Sequence, residues 1–337
     1  MKRLLLVAVC FSSFLFPFLL TVTDAQNSAP TPQVLRVICL PARPLALTVA
    51  HDQGLLSKYA IDVQGQVAAS SDELRAGLAE GKFDLAHAAV DNAVALIEKS
   101  GADVVVVLGG EGSTNELFAQ RDIHSVEDLR GHTVIVDAPN TAYAIQLKKI
   151  LLLRGLEPDR DYQVKPIGAT PARLAAMREH KEYAASILGP PTSLLAKQQG
   201  FLSLGSTRQI LGPYQGLGAF ARKTWANENG VLLARYIAAF IEAQRWILDP
   251  VNKAQVVALL AREYKLPNDL ASEAYTSWIV APGGFEPDAA IDLEGLRNVL
   301  QLRAEIEHTW KGQAPNPGKY YDSAYYNTAL SRLPARK

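Results

Sequence analysis

Few side chains in this 337-residue sequence are spaced for covalent chemistry. The histidines (His51, His87, His124, His132, His180 and His308) are scattered, with no His-Glu-x-x-His and no metal-ligand spacing. No Gly-x-Ser-x-Gly elbow presents a serine nucleophile. Gly77-Leu-Ala-Glu-Gly81-Lys82 has the outline of a phosphate loop, but it is one residue short, lacks the Ser/Thr and falls at a helix end. Gly216-Leu-Gly218-Ala-Phe-Ala221 has the letters of a dinucleotide fingerprint, yet it follows the turn-like Gly212-Pro213-Tyr214 and leads into an extended run. Cys39 ends an apolar strand without an assignable basic partner and reads as a small buried hydrophobe.

Non-covalent recognition is the chemistry that remains. Its candidates lie in loops between apolar strands and helices: Pro41, Ala42 and Arg43; Ser70 and Ser71; Asp91 and Asn92; Asn140 and Thr141; Thr170; and Gly189. In open α/β sheets ligands bind outside the carboxyl ends of the strands. There each following helix also points free N–H groups at the ligand. Ser70, Thr141 and Thr170 serve equally as helix caps. Asp91, in a helix's first turn, either stabilises the helix dipole or meets a ligand N–H. As a ligand contact, Asp91→Ala is expected to weaken binding at least tenfold with the fold intact. His87 reads as strand-end packing. Tyr214 and Trp278 are aromatic platforms that suit either a core or a stacked ring.

The elements that must position these loops are legible. Strands are expected at 34–39, 61–67, 84–88, 103–108, 116–121, 132–137, 162–167 and 184–188, with extended runs at 201–206 and 216–222. Helices are expected at 44–59, 70–80, 91–99, 141–154, from Thr170-Pro171 onward, and at 191–199. Such β-α alternation means mostly parallel sheets covered on both faces. After 223 the pattern turns helical: 224–248, 250–264, 267–279, 288–308 and 323–331.

Composition agrees with a globular protein. Apolar residues make 48 % and charged residues 20 %, which excludes disorder; 34 basic and 34 acidic residues give no basic excess for nucleic acid. Residues 1–25 read as a cleaved secretory signal: Lys2 and Arg3, an apolar run from Leu4 to Leu20, then Thr23-Asp24-Ala25. Residues 26–33 form a flexible lead-in. One cysteine after cleavage forms no internal disulfide.

Several stretches then match a known group. Ala50-His-Asp-Gln-Gly-Leu-Leu56 with Ile61-Asp-Val63, Gly81-Lys-Phe-Asp-Leu-Ala86, Ser125-Val-Glu-Asp-Leu-Arg-Gly131 with Val134, and Leu152-Leu-Arg-Gly-Leu156 follow one another in order. Over about residues 34–248 the chain resembles the periplasmic substrate-binding proteins of ABC importers in the nitrate/sulfonate/taurine class, which includes binders of thiamine-pyrimidine precursors. The resemblance implies an α/β, two-lobed, type II periplasmic-binding-protein-like fold with hinge strands and a helical C-terminal tail. Residues 34–116 would begin lobe 1, 117–217 would form lobe 2 with the hinge strands, and 218–337 would complete lobe 1 and pack the tail on it. The crossings would lie near Leu117–Arg121 and Tyr214–Ala221. Also implied are a small-molecule ligand, a permease partner in the inner membrane and a periplasmic location; a monomer is the default expectation, and the motif search leaves no cofactor, metal or catalysis expected. A receptor's sensing module, or an enzyme of the pyrimidine/thiamine-precursor type, stands as the alternative. The cleft loops are poor in Arg and Lys. That disfavours a bare oxyanion and suits a neutral or zwitterionic ligand with nitrogen donors at Asp91, Asn92 and Asn140.

Overall fold

A computed structural model describes residues 31–336; the expected signal at 1–25 and most of the lead-in lie outside them. The first sheet begins with β1 (Gln33–Cys39), β2 (Ile61–Val67), β3 (Leu85–Ala89) and β4 (Val104–Leu108). These are linked by α1 (Leu45–Asp52), α2 (Leu55–Lys58), α3 (Ser71–Ala79) and α4 (Asp91–Ser100). The second holds β5 (Glu116–Ala119), β6 (Thr133–Val136), β7 (Gln163–Pro166), β8 (Tyr183–Leu188) and β9 (Leu202–Ser206), with α5 (Ala142–Leu152), α6 (Thr170–Glu179), α7 (Thr192–Gln198) and α8 (Thr207–Leu211). The chain then returns as β10 (Leu217–Arg222) to the first sheet. The helical remainder is α9 (Lys223–Glu228), α10 (Gly230–Leu248), α11 (Lys253–Tyr264), α12 (Asn268–Ala274), a π-helical turn at Tyr275–Ile279, α13 (Leu293–Glu307) and α14 (Ala324–Leu330).

The sheet orders are β2-β1-β3-β10-β4 and β7-β6-β8-β5-β9. Each is parallel except for one inserted strand, β10 in the first and β5 in the second, which runs antiparallel to both neighbours. This is the periplasmic-binding-protein fold. The inserted strands record the two passages of the chain between sheets, at 109–115, ahead of the crossing expected near Leu117–Arg121, and at 207–216, which overlaps the one expected near Tyr214–Ala221. The passages touch: the Gly216 N–H donates to the Glu111 carbonyl at 3.2 Å. A Cβ on Gly216 would stand 1.9 Å from the Gly112 carbonyl oxygen, so only glycine fits.

Local chemistry explains most elements. The valines of β4 are all buried, as a strand covered on both faces requires. Fully burying each contributes about 1.5–3 kcal/mol relative to exposure. Ser70 caps α3 by accepting the Glu73 N–H at 3.1 Å, while Glu73 reaches back to the Ala69 N–H at 2.7 Å. Thr141 caps α5, whereas Thr170 makes no cap bond to α6.

Three expected helices are divided. The 44–59 stretch breaks at Gly54, whose φ of 68° is left-handed and leaves the helix. The 224–248 stretch breaks at Asn229, and the 267–279 stretch ends in the π-helical turn. The tail packs on the first sheet through the α1–α10 core. One tail helix departs from that expectation: α13 also reaches α5, where Lys149 pairs with Glu305 at 2.7 Å.

Candidate binding site

The loops at the carboxyl ends of the parallel strands of both sheets enclose a cavity of about 410 Å3 and, beside it, a smaller chamber of about 90 Å3. Leu40 and Ala89 from the first sheet and Ala142, Tyr143 and Thr170 from the second line both.

Most of the expected site residues come together here. Pro41, Ala42, Arg43, Gly189 and Tyr214 line the main cavity. Ser70, Ser71, Asn92 and Thr141 line the chamber, and Thr170 touches both spaces. Gly189 packs closely at the wall: a Cβ there would meet the Asn115 Oδ1 at 2.4 Å, so the Asn115 side chain would have to shift.

Asp91 and Asn140 are corrections: neither lines the cavity or the chamber. Asp91 is 1 % exposed and accepts from Arg303 Nε at 2.9 Å and Nη2 at 2.7 Å, a buried pair with a residue of α13. Adjacent helix positions face about 100° apart. Asn92 therefore takes the chamber side of α4 and Asp91 the side covered by α13. The Asn140 carbonyl is held by Arg303 Nη2 at 3.0 Å.

The chamber is polar yet close to charge-balanced. Arg173, fully buried, donates to Ser186 Oγ, the Gly168 and Ile187 carbonyls and Thr170 Oγ1, and lies 3.9 Å from Asp137. Burial pushes the Asp137 carboxyl up and the Arg173 guanidinium down, each offset by the other's charge. The guanidinium also lies over the Tyr143 ring at 4.7 Å. Two buried amides are incompletely bonded. Asn92 Nδ2 donates to the Ala89 carbonyl at 3.2 Å while its Oδ1 has no partner. Gln146, 1 % exposed on the cavity wall, stands near the Tyr214 hydroxyl, but neither amide atom has a partner in bonding geometry. Unmatched buried polar atoms cost about 1–3 kcal/mol each, which a ligand recovers by bonding them.

The far wall is aromatic. Trp278, Tyr264, Phe285 and Phe240 line it with Glu111. Burial raises the Glu111 carboxyl to about 7, against a hydrogen bond from Trp278 Nε1 at 3.1 Å. His87 also lines the cavity, and it packs as expected: it stacks on Phe240 at 5.1 Å and shares a 2.7 Å hydrogen bond with the Tyr236 hydroxyl. Burial lowers it to about 3, so it is neutral at ordinary pH.

The sequence model of the NMT1-like family matches residues 37–261. The chain belongs to the NMT1-like family. No curated protein matches it in sequence. Among solved structures, it is similar to the periplasmic nitrate-binding protein of Synechocystis PCC 6803 (TM-score 0.74, 17 % identity, covering 91 % of each chain). It is similar also to the ligand-binding component of an ABC-type import system from Staphylococcus aureus, solved with zinc (0.73, 15 %, covering 88 % of this chain and 99 % of that). A third is the periplasmic aliphatic sulphonate-binding protein of Escherichia coli (0.68, 20 %, 87 % and 93 %).

In this NMT1-like chain, sequence reasoning missed Glu111, Tyr143, Gln146 and the grouping of Trp278 with Tyr264 and Phe285. Tyr143 and Gln146 follow the cap Thr141 on α5, so helical periodicity from that cap was the available signal. Nothing local links Glu111 to Trp278, 167 positions on. Among the described residues, no group of three His, Cys, Asp or Glu side chains is placed to hold a metal ion.

Proposed function

We propose that this chain is a periplasmic solute-binding protein that holds a small organic molecule between its two sheets and delivers it to an ABC importer. One observation carries the reading: a cavity of about 410 Å3 whose walls come from both sheets, with unbonded polar atoms of Gln146 on its wall and of Asn92 in the adjoining chamber. That volume falls within the roughly 300–1,000 Å3 range of ligand pockets. The expected signal at residues 1–25, and structural neighbours that include periplasmic binding proteins and a component of an ABC-type import system, support the periplasm and the importer.

The site supports holding rather than transforming. The Cys39 thiol is buried and pushed up to about 12, too high for a thiolate nucleophile. His87 is neutral and already engaged with Tyr236. The balanced Arg173–Asp137 chamber favours a hydrogen-bonding group over a bare oxyanion, and the apolar and aromatic walls favour an organic body.

A thermal-shift screen of the chain from residue 26 onward, against nitrate, alkanesulfonates, taurine, pyrimidines, amines and aromatic acids, tests this. A true ligand at 100 times its dissociation constant adds about 2.7 kcal/mol, a rise of several degrees at most in the midpoint. If no compound raises the midpoint, and mass spectrometry of the denatured protein releases no small molecule, the reading fails.

A further inference from the structure

The aromatic wall holds a feature that the general reading leaves unused. Glu111 lies in the first passage between the sheets. Its backbone is fixed on three sides: its N–H donates to the Leu217 carbonyl, its carbonyl accepts from Gly216 and from Gln215 Nε2, and it bridges to Phe285. Among the described residues, the carboxylate's one side-chain hydrogen-bond partner is Trp278 Nε1. Trp278 is carried in by the π-helical turn, a distortion that often marks functional positions. Its ring meets Tyr264 at 5.4 Å and 71°, and Phe285 at 5.8 Å and 82°. Both rings stand near right angles to the indole rather than stacked on it, and these three rings, the box, border the same cavity as Glu111.

The charges around this carboxylate are sparse. Tyr264 and Tyr143 are the titratable groups coupled to it. His87, Arg43 and Arg178 lie elsewhere on the cavity wall, and Glu286 follows Phe285 on the neighbouring strand segment. None of them forms an ion pair with Glu111. An acid is thus held beside an aromatic box without a cation.

We propose that Glu111 and the Trp278–Tyr264–Phe285 box bind the positively charged nitrogen of an organic amine, which makes the solute an amine-bearing molecule. The inference rests on the solute-binding reading and names the solute's class. Ring faces attract an ammonium group, more strongly where water is excluded. The carboxylate supplies the counter-charge. It also moves the nitrogen recognition expected of Asp91 to a residue that faces the cavity. A cation selects ionised Glu111, so binding below pH 7 must expel its proton.

Isothermal titration with phenethylamine, its neutral counterpart 2-phenylethanol and its acidic counterpart phenylacetate tests the inference. At pH 8 the amine is expected to bind at least tenfold more tightly than the alcohol. Its affinity should fall as pH drops below 7, and binding in that range should release up to one proton. Glu111→Gln should erase the preference and the proton release; Trp278→Phe, which keeps a ring, should retain both in weaker form. Equal affinity for amine and alcohol, or an amine preference unchanged in Glu111→Gln, overturns the proposal. So does phenylacetate binding best with the same affinity in both proteins, an outcome that leaves the solute-binding reading standing. Failure of all three compounds and of choline overturns it as well, and the thermal-shift screen then decides the broader reading separately.

Discussion

Asp91 shows how one carboxylate changes meaning with its surroundings. Facing a cleft it would be a ligand contact; paired with Arg303 under α13, both 1 % exposed at the side chain, it holds the tail in place. Removing Asp91 leaves the buried Arg303 guanidinium with Glu307, at 2.5 Å, as its remaining anionic partner, so the cost lies below the roughly 3–5 kcal/mol of a fully uncompensated buried charge. Asp91→Ala is therefore expected to lower stability by about 1–3 kcal/mol in urea denaturation. Asp91→Leu combined with Arg303→Met should recover much of the loss. A small loss in Asp91→Ala would show that the pair does not hold the tail. His87 gives a pH prediction. Its folded pKa of about 3 lies below the usual 6.5 of the unfolded chain. Its contribution is therefore fully present above pH 6.5 and is lost as pH falls from 6.5 towards 3. His87→Phe should show a shallower fall in melting temperature between pH 6.5 and 4 than the parent; an identical slope would contradict the assignment. The residues legible in the sequence were those at strand ends, such as Arg43, Asn92 and Gly189, because loop position alone places them. Asp91 and Glu111 were misread or missed because their partners lie 212 and 167 positions away.

At the scale of elements, the alternation of apolar runs and capped helices placed nearly every strand and helix. Each rests on local signals: β-branched runs, Ser70 and Thr141 caps, and Pro171 in the first turn of α6. The breaks at Gly54, where a glycine takes a φ of 68°, and at Asn229 left little trace in the apolar periodicity. The sheet order, with β5 and β10 inserted antiparallel, is non-local in kind. Two glycines test the passages and the site separately. Gly216→Ala drives a Cβ into the Gly112 carbonyl and is expected to cost about 1–3 kcal/mol or more. Gly189→Ala meets only the end of the Asn115 side chain, so it should leave stability within about 1 kcal/mol of the parent while displacing Asn115 at the cavity wall and weakening binding. Measured melting temperatures and ligand affinities separate the two; equal destabilisation by both would contradict the distinction.

For the whole molecule, two sheets joined by two touching passages suggest bending about residues 109–115 and 207–216, with ligand held between. Closure would bring the loops of both sheets onto the solute and present a changed surface to a permease. Small-angle scattering should then show a smaller radius of gyration on saturation; an unchanged radius would exclude closure in solution. The helix α13 sets a limit on this motion, because it contacts both sheets' helices through Asp91–Arg303 and Lys149–Glu305. That limit follows from the folded tail and was not legible in the sequence. The central claim is that the cavity between the sheets is where solute binds. Ala42, half-buried on the loop after β1, lines that cavity. Titrating the best ligand from the screen into the parent and into Ala42→Trp tests the claim most directly. The account predicts binding to the parent and at least a hundredfold loss in the folded variant, whose indole fills the cavity; unchanged affinity in that variant would place the solute elsewhere and contradict it.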